Sequence, residues 1–229
     1  MEHPENSREA VLEAVNSGAD MIEVDIRLCS DGVPVLCHDK NLRRLFGRHG
    51  TLRDITSDQF RELLILGSGT PLTLEDFLTL DELTIPFILD IKEFGTERCV
   101  CSLLTERDAV QSTILSSFYS LVIRAYKREI PDLKTALILD RVATIPFSLG
   151  LISMSQPYLK FTQAEYLHLY YRHSNLRAAR LLRERGYHIA FWTIDDKSEI
   201  IKAIEAEPYG IMTNTPARMI PELKSHRSV

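Results

Sequence analysis

Cysteine, tryptophan and unbroken apolar sequence are all scarce in this 229-residue chain. The four cysteines, Cys29, Cys37, Cys99 and Cys101, form no CxxC pair, which argues against a structural zinc site. They are expected as reduced thiols, with a Cys29–Cys37 bridge across a turn as the alternative. The longest apolar region, 135–154, is broken by Asp140, Arg141, Pro146 and Ser148. It therefore falls short of the about 18 uninterrupted apolar residues that mark a membrane helix. No basic start followed by an apolar run opens the chain, so no secretory signal is read and a cytoplasmic protein is the default expectation. Basic charge is also in deficit, with 27 Lys and Arg against 32 Asp and Glu and a net charge of −5. That balance argues against a nucleic-acid binder while leaving room for a phosphate ligand at a locally basic spot. No Gly/Ser-rich or low-complexity linker divides the sequence, so residues 1–229 read as one domain. A barrel of alternating strands and helices typically takes about 250 residues.

Short apolar runs alternate with amphipathic segments. Strands are expected at 21–28, 33–37, 85–91, 113–116, 134–139, 149–154, 188–194 and 209–213. Asn6-Ser7-Arg8-Glu9 resembles a capping box ahead of a helix that Gly18 stops. Ser174 is the expected cap of a helix over 176–185, and Asp195 or Asp196 of one running to Ala206. Such alternation implies parallel βαβ units. The segment 44–69 has no clean period and reads as an excursion from a barrel rim. One connection breaks the pattern: only Cys29-Ser30-Asp31-Gly32 joins the first two strands. Asp-Gly is a hairpin signal and four residues cannot make a parallel crossover, so one of these strands is antiparallel. Seven parallel strands remain, one short of a closed eight-stranded barrel. Because the chain opens directly at a helix, the missing strand is expected to be the first.

Two strands carry charge on one face. In Met21-Ile22-Glu23-Val24-Asp25-Ile26, the apolar Ile22, Val24 and Ile26 alternate with Glu23 and Asp25. If the apolar face packs on helices, the two acids point inward, where like charges are costly unless neutralised. A hard divalent cation, Mg²⁺ or Ca²⁺, would neutralise them. The alternative is a surface edge strand with its acids in water. Phe87-Ile88-Leu89-Asp90-Ile91-Lys92 repeats the pattern, placing Asp90 and Lys92 on one face at the strand's C-terminal end, where barrels of this type carry their sites. Lys92 would offer a fixed positive charge to an anion; the alternative is an internal Asp90–Lys92 salt bridge. His38, ending the next run before Asp39, is a candidate acid or base. The single tryptophan, Trp192, reads from the sequence alone as a core aromatic.

These segments, taken in order, resemble glycerophosphodiester phosphodiesterases. The resemblance runs through Pro4-Glu5-Asn6-Ser7, Gly18-Ala19-Asp20-Met21-Ile22-Glu23-Val24-Asp25-Ile26, Ser30-Asp31-Gly32 and Val33-Pro34-Val35-Leu36-Cys37-His38-Asp39. It continues in Pro71-Leu72-Thr73-Leu74-Glu75-Asp76, Leu89-Asp90-Ile91-Lys92, Ser116-Ser117-Phe118, Phe191-Trp192-Thr193-Ile194-Asp195-Asp196 and Gly210-Ile211-Met212-Thr213-Asn214-Thr215-Pro216. It implies a TIM-type (β/α) barrel of the phospholipase C-like phosphodiesterase kind that hydrolyses glycerophosphodiesters to an alcohol and glycerol 3-phosphate. Some relatives take lysophospholipids.

Motif by motif, the resemblance implies that Glu23, Asp25 and Asp90 hold the cation. His38 would serve in acid–base catalysis and Lys92 would sit near the phosphate. Glu5 and Asn6 would stand at the site rim, and Trp192 would match the family's late-strand tryptophan. Asp90 stands where many members have Glu, and Asn214 replaces a usual Asp. The largest departure is the lack of the family's opening strand, which ends in His-Arg-Gly; with it would go half of an acid–base pair and a phosphate contact.

Three functions are therefore weighed: the metal-dependent phosphodiesterase, including its lysophospholipase D variant; a catalytically impaired barrel that binds cation or phosphate or regulates; and a metal-free isomerase or aldolase. The last leaves three inward acids against one lysine. A small-molecule diester or lysophospholipid is the expected partner, with no nucleic acid and no membrane segment in this chain.

Overall fold

The computed structural model describes residues 3–140 and 152–227. The chain divides into two compact units, Met1–Leu115 with Arg128–Leu133, and Ser116–Lys127 with Lys134–Val229.

In the first unit, helix α1 (Arg8–Asn16) starts at Ser7, whose hydroxyl accepts the Ala10 N–H. The cap is Ser7 rather than the expected Asn6, which turns elsewhere. Strand β1 (Ile22–Leu28) runs parallel to β3 (Phe87–Ile91), in a register that sets Ile22 opposite Phe87 and Asp25 opposite Asp90. Strand β2 (Pro34–Leu36) lies antiparallel to β1 but reaches only its last three residues, Ile26, Arg27 and Leu28. The expected hairpin joins them. The Gly32 N–H donates to the Cys29 carbonyl at 3.1 Å, with Gly32 at φ +77°, a conformation other side chains rarely adopt.

Ile22, Val24, Ile26, Leu89 and Ile91 are buried, as a helix-facing set should be. The segment expected as a rim excursion holds α2 (Arg43–Phe46), a 3₁₀ turn at Leu52–Asp54 and α3 (Ser57–Arg61). It has a core of its own, in which Leu45, Phe46, Leu52, Phe60 and Ile65 pack with Val35 and Cys37. Helices α4 (Leu74–Leu78) and α5 (Glu97–Glu106) follow on either side of β3. All four cysteines are free thiols.

Strand β4 (Thr113–Ser117) falls at the boundary of the units and is followed by α6 (Ser120–Glu129). In the second unit β5 (Lys134–Leu139), β6 (Tyr166–Tyr170), β7 (His188–Trp192) and β8 (Gly210–Ile211) pair in parallel in chain order. Of the strand expected at 149–154, residues 149–151 lie outside the described residues. Its described part, from Ile152, opens helix α7 (Ile152–Thr162), and the strand is instead β6. A short continuous apolar run cannot be told from a buried helix by periodicity alone.

Helix α8 (Leu176–Glu184) is capped by Asn175, whose side chain accepts the Arg177 and Ala178 N–H groups. The expected cap, Ser174, instead donates its hydroxyl to the Tyr170 carbonyl. Asp196 caps α9 (Lys197–Ile204) as expected, and α10 (Pro216–Arg227) closes the described chain. Leu167, Leu169, Ile189 and Phe191 pack on Ala178, Ala179 and Leu182 of α8. Among the described residues no helix is long and apolar enough to cross a membrane.

Candidate active site

Alternation along β1 places Glu23 and Asp25 on the face opposite its apolar residues, and the β1–β3 register sets Asp90 beside Asp25. The result is a cluster in which one carboxylate oxygen from each of Glu23, Asp25 and Asp90 lies within 4.8 Å of the others. Asp25 and Asp90 are buried; Glu23 is exposed. Lys92 reaches both aspartates, with its ammonium 2.8 Å from Asp25 Oδ1 and also bonded to Asp90 Oδ2. The Asp90–Lys92 salt bridge weighed from the sequence is therefore real, and Asp25 shares it. Three carboxylates still face one ammonium. Asp90 Oδ1 is buried with no hydrogen-bond partner, a costly state for a carboxylate oxygen that a ligand would relieve.

The electrostatics follow from this crowding. Loss of water pushes the Asp90 carboxyl up to about 6, with Lys92 opposing the rise and Asp25 adding to it. Surrounding protein atoms and then the charges of Asp25 and Asp90 push Glu23 well above the usual carboxylate range. Because Glu23 still opens to solvent, the like charges beside it are the firmer part of that cause. Burial works against charge on Lys92, but Asp90 and then Asp25 outweigh it and hold the ammonium protonated.

Asn6, at φ +57°, clamps Asp25 twice: its Nδ2 donates to Asp25 Oδ2 at 2.7 Å, and its Oδ1 accepts the Asp25 N–H at 2.9 Å. Expected at the rim, Asn6 thus holds a metal-ligand candidate in place. Close packing permits the approach of this segment. A Cβ on Gly69 would come within 2.9 Å of Ser7 Cβ and 3.2 Å of the Pro4 ring.

His38 leaves β2 with its side chain half exposed, and Nδ1 lies 2.7 Å from Asp39 Oδ1. The hydrogen bond from Arg44 is the main cause that brings the Asp39 carboxyl down to about 2. Asp39 is therefore an acceptor only, so Nδ1 donates to it. His38 also acts electrostatically on Asp90. Arg44 bonds Asp39 Oδ2 at 2.5 Å and Glu5 Oε1 at 2.5 Å, tying the two segments together. Sequence reasoning missed Arg44, which lay in a stretch without period; its one signal is proximity to His38-Asp39.

Trp192 belongs to the second unit. Its indole N–H donates to the His168 carbonyl at 3.1 Å, and its ring meets those of Phe118 and Tyr170 edge-on at 5.8 and 5.2 Å. Nearby in sequence, Asn214 gives its backbone N–H and its Nδ2 to the two oxygens of Asp195 at 2.7 and 2.8 Å. An aspartate at position 214 would set a like charge there, which accounts for the amide.

Fold and site define an α/β protein with a carboxylate–lysine centre on one face of two parallel strands. The model of the glycerophosphoryl diester phosphodiesterase family matches residues 1–218, and the chain belongs to that family. The glycerophosphodiester phosphodiesterase of Caldanaerobacter subterraneus subsp. tengcongensis is 26% identical over 230 residues, covering 95% of this chain and 91% of the relative. Lysophospholipase D GDPD3 of Mus musculus is 27% identical over 259 residues, covering 95% and 77%. Among solved structures, the Thermotoga maritima glycerophosphodiester phosphodiesterase superposes with a TM-score of 0.77 at 27% identity, covering 96% of this chain and 92% of that one. The Oleispira antarctica phosphodiesterase, solved with sn-glycerol-3-phosphate, reaches 0.85 at 19% identity, covering 97% and 92%, and shares the fold.

Proposed function

We propose that this chain hydrolyses glycerophosphodiesters to an alcohol and glycerol 3-phosphate. In this reading Glu23, Asp25 and Asp90 hold a divalent cation, Mg²⁺ or Ca²⁺. The carrying observation is the set of three clustered carboxylates with the buried, unpartnered Asp90 Oδ1 among them. These hard oxygen donors suit either ion. Bound there, such a cation supplies Lewis-acid polarisation of a phosphoryl oxygen.

The chain's own residues do the rest. Lys92 holds a fixed positive charge beside the carboxylates for the phosphodiester. His38, oriented through Nδ1 by Asp39, uses Nε2 to take a proton from the attacking water or to pass one to the leaving alkoxide. One P–O bond forms, one breaks, and a water is added across the diester. Asn6 positions Asp25, while Glu5 and Trp192 are assigned to contacts with the substrate. Lysophospholipids are a second substrate class, as the name of the mouse relative suggests.

The test is release of glycerol 3-phosphate from glycerophosphocholine with Mg²⁺, with Ca²⁺ and with chelator. Chelator should abolish release. Glu23→Ala should abolish cation binding as followed by calorimetry. His38→Ala should keep cation affinity and lower kcat by about 10²–10⁴-fold. Unchanged cation affinity in Glu23→Ala would sink the site assignment. The second reading is a cation- or phosphate-binding form of the same centre, in which Lys92 already neutralises Asp25 and Asp90. Folded protein that binds cation but releases no product would favour it.

A further inference from the structure

We propose that residues 40–66 form a docking surface for a lipid bilayer bearing anionic head groups. In a chain of net charge −5, the stretch 40–53 holds Lys40, Arg43, Arg44, Arg48 and Arg53 and no acidic residue. Arg44 is engaged by Glu5 and Asp39, and Arg53 by Glu93. Lys40, Arg43 and Arg48 are exposed, and the described residues provide them no ion pair. In the same segment Leu64 and Leu66 are 82% and 59% exposed; Leu64 is the most exposed of the large apolar side chains described.

The leucines are presented, not frayed. Ile65 between them is buried in the local core. The Leu66 N–H donates to the Leu45 carbonyl at 2.7 Å, and the Leu66 methyl carbon would lie 3.6 Å from a Cβ on Gly47, beside Arg48. The basic stretch is braced in turn. The Leu42 N–H donates to Gly50 O at 3.1 Å and the Leu52 N–H to Lys40 O at 2.9 Å. A side chain 82% exposed protrudes rather than lining a groove. Protruding aliphatic groups in one segment with exposed cations suit shallow insertion at a head-group boundary, where the apolar part enters the acyl region and the cations meet anionic lipid.

Nearby acids offset this only in part. Asp54 is turned onto Thr51, at 2.7 Å from its N–H and 2.9 Å from its hydroxyl, and Asp58 faces Arg61 at 3.4 Å. Glu62 is exposed, without an ion pair among the described residues, and opposes docking. The surface begins directly after His38-Asp39, so a docked chain would present that segment to the bilayer. The proposal does not depend on the hydrolysis proposed above.

The test is co-sedimentation of the full chain with vesicles of pure phosphatidylcholine and of equal parts phosphatidylcholine and phosphatidylserine. Binding is expected only to the mixed vesicles and should weaken as salt rises. Combining Lys40→Glu, Arg43→Glu and Arg48→Glu should weaken it by about 10²-fold or more. Leu64→Ser with Leu66→Ser should cost about tenfold, and Glu62→Gln should strengthen binding a few-fold. Thermal midpoint and turnover of soluble glycerophosphocholine should stay at parental values in all of these.

Equal binding to both vesicle types, or parental binding by the charge and leucine variants, would overturn the proposal. So would binding to soluble polyglutamate as tight as to mixed vesicles and indifferent to the leucine changes, which would point to an acidic macromolecule. Should the triple variant fold poorly, Glu62→Gln and the salt series still decide.

Discussion

Strands β1 and β3 of the first unit and β6 and β7 of the second are built on the same alternation and carry opposite chemistries. Each pair turns one face to an apolar core: Val24, Ile26, Leu89 and Ile91 are buried in one, and Leu167, Leu169, Ile189 and Phe191 in the other. The other face of β1 and β3 carries Glu23, Asp25 and Asp90, with Lys92 just beyond. The other face of β6 and β7 carries Tyr166, His168, Tyr170, His188 and Trp192, where Tyr166 stacks on His188 at 4.7 Å. Alternation decides which residues share a face; their charge decides what that face then requires. Clustered carboxylates must have a counter-charge, whereas rings and a neutral imidazole need only packing and hydrogen bonds.

The largest way to break the comparison is Lys92→Met. Lys92, Asp25 and Asp90 have side chains only 11%, 11% and 6% exposed, so removing the ammonium strands two buried carboxylates. We expect a loss of about 3–5 kcal/mol in chelator, with a larger stabilisation by added divalent cation than in the parent. Denaturant melts with and without cation measure both. Parental stability in chelator would mean that this face does not need its lysine.

His168 tests the neutral face. It is buried, and burial brings its ring pKa down from 6.5 to about 3. Below pH 6.5 the unfolded chain takes up a proton that the folded chain refuses until about pH 3. Stability therefore falls with pH across that window, by about 2 kcal/mol between pH 6.5 and pH 5. His168→Leu should remove that part of the slope, so the stability difference between variant and parent should shift toward the variant by that amount from pH 7 to pH 5. An unshifted difference would show that His168 titrates normally.

The smallest expected effect sharpens the comparison. Trp192→Phe keeps a ring near Phe118 and Tyr170 but deletes the donor to the His168 carbonyl. It should lower stability by about 1 kcal/mol, read from the same melts, with cation affinity unchanged.

Much of the candidate site was legible from short-range pattern. Period-two alternation in 21–28 and 87–92 placed Glu23 with Asp25 and Asp90 with Lys92, and Asp31-Gly32 marked the hairpin that sends the chain to His38. The strand β6 was not legible. Leu149-Gly150-Leu151-Ile152-Ser153-Met154 offered a more apolar run, whereas Tyr166-Leu167-His168-Leu169-Tyr170 hides its inward face behind rings that carry no charge signal. Arg44 was lost in a segment whose order comes from its own small core, built from residues scattered between Cys29 and Ile65. Such a core leaves no period to read.

By itself the sequence determined the alternating α/β order, which side chains share a strand face, and the acidic character of one such face. These depend on neighbours two to four residues away, and backbone geometry makes them local. Tertiary structure alone decided that Asp25 stands beside Asp90, and that Lys92 is shared between them. It alone set Asn6 to grip Asp25 from 19 residues away and Arg44 to reach Glu5 from 39 residues away. Those pairings depend on strand register and loop closure, which follow from how the whole first unit packs.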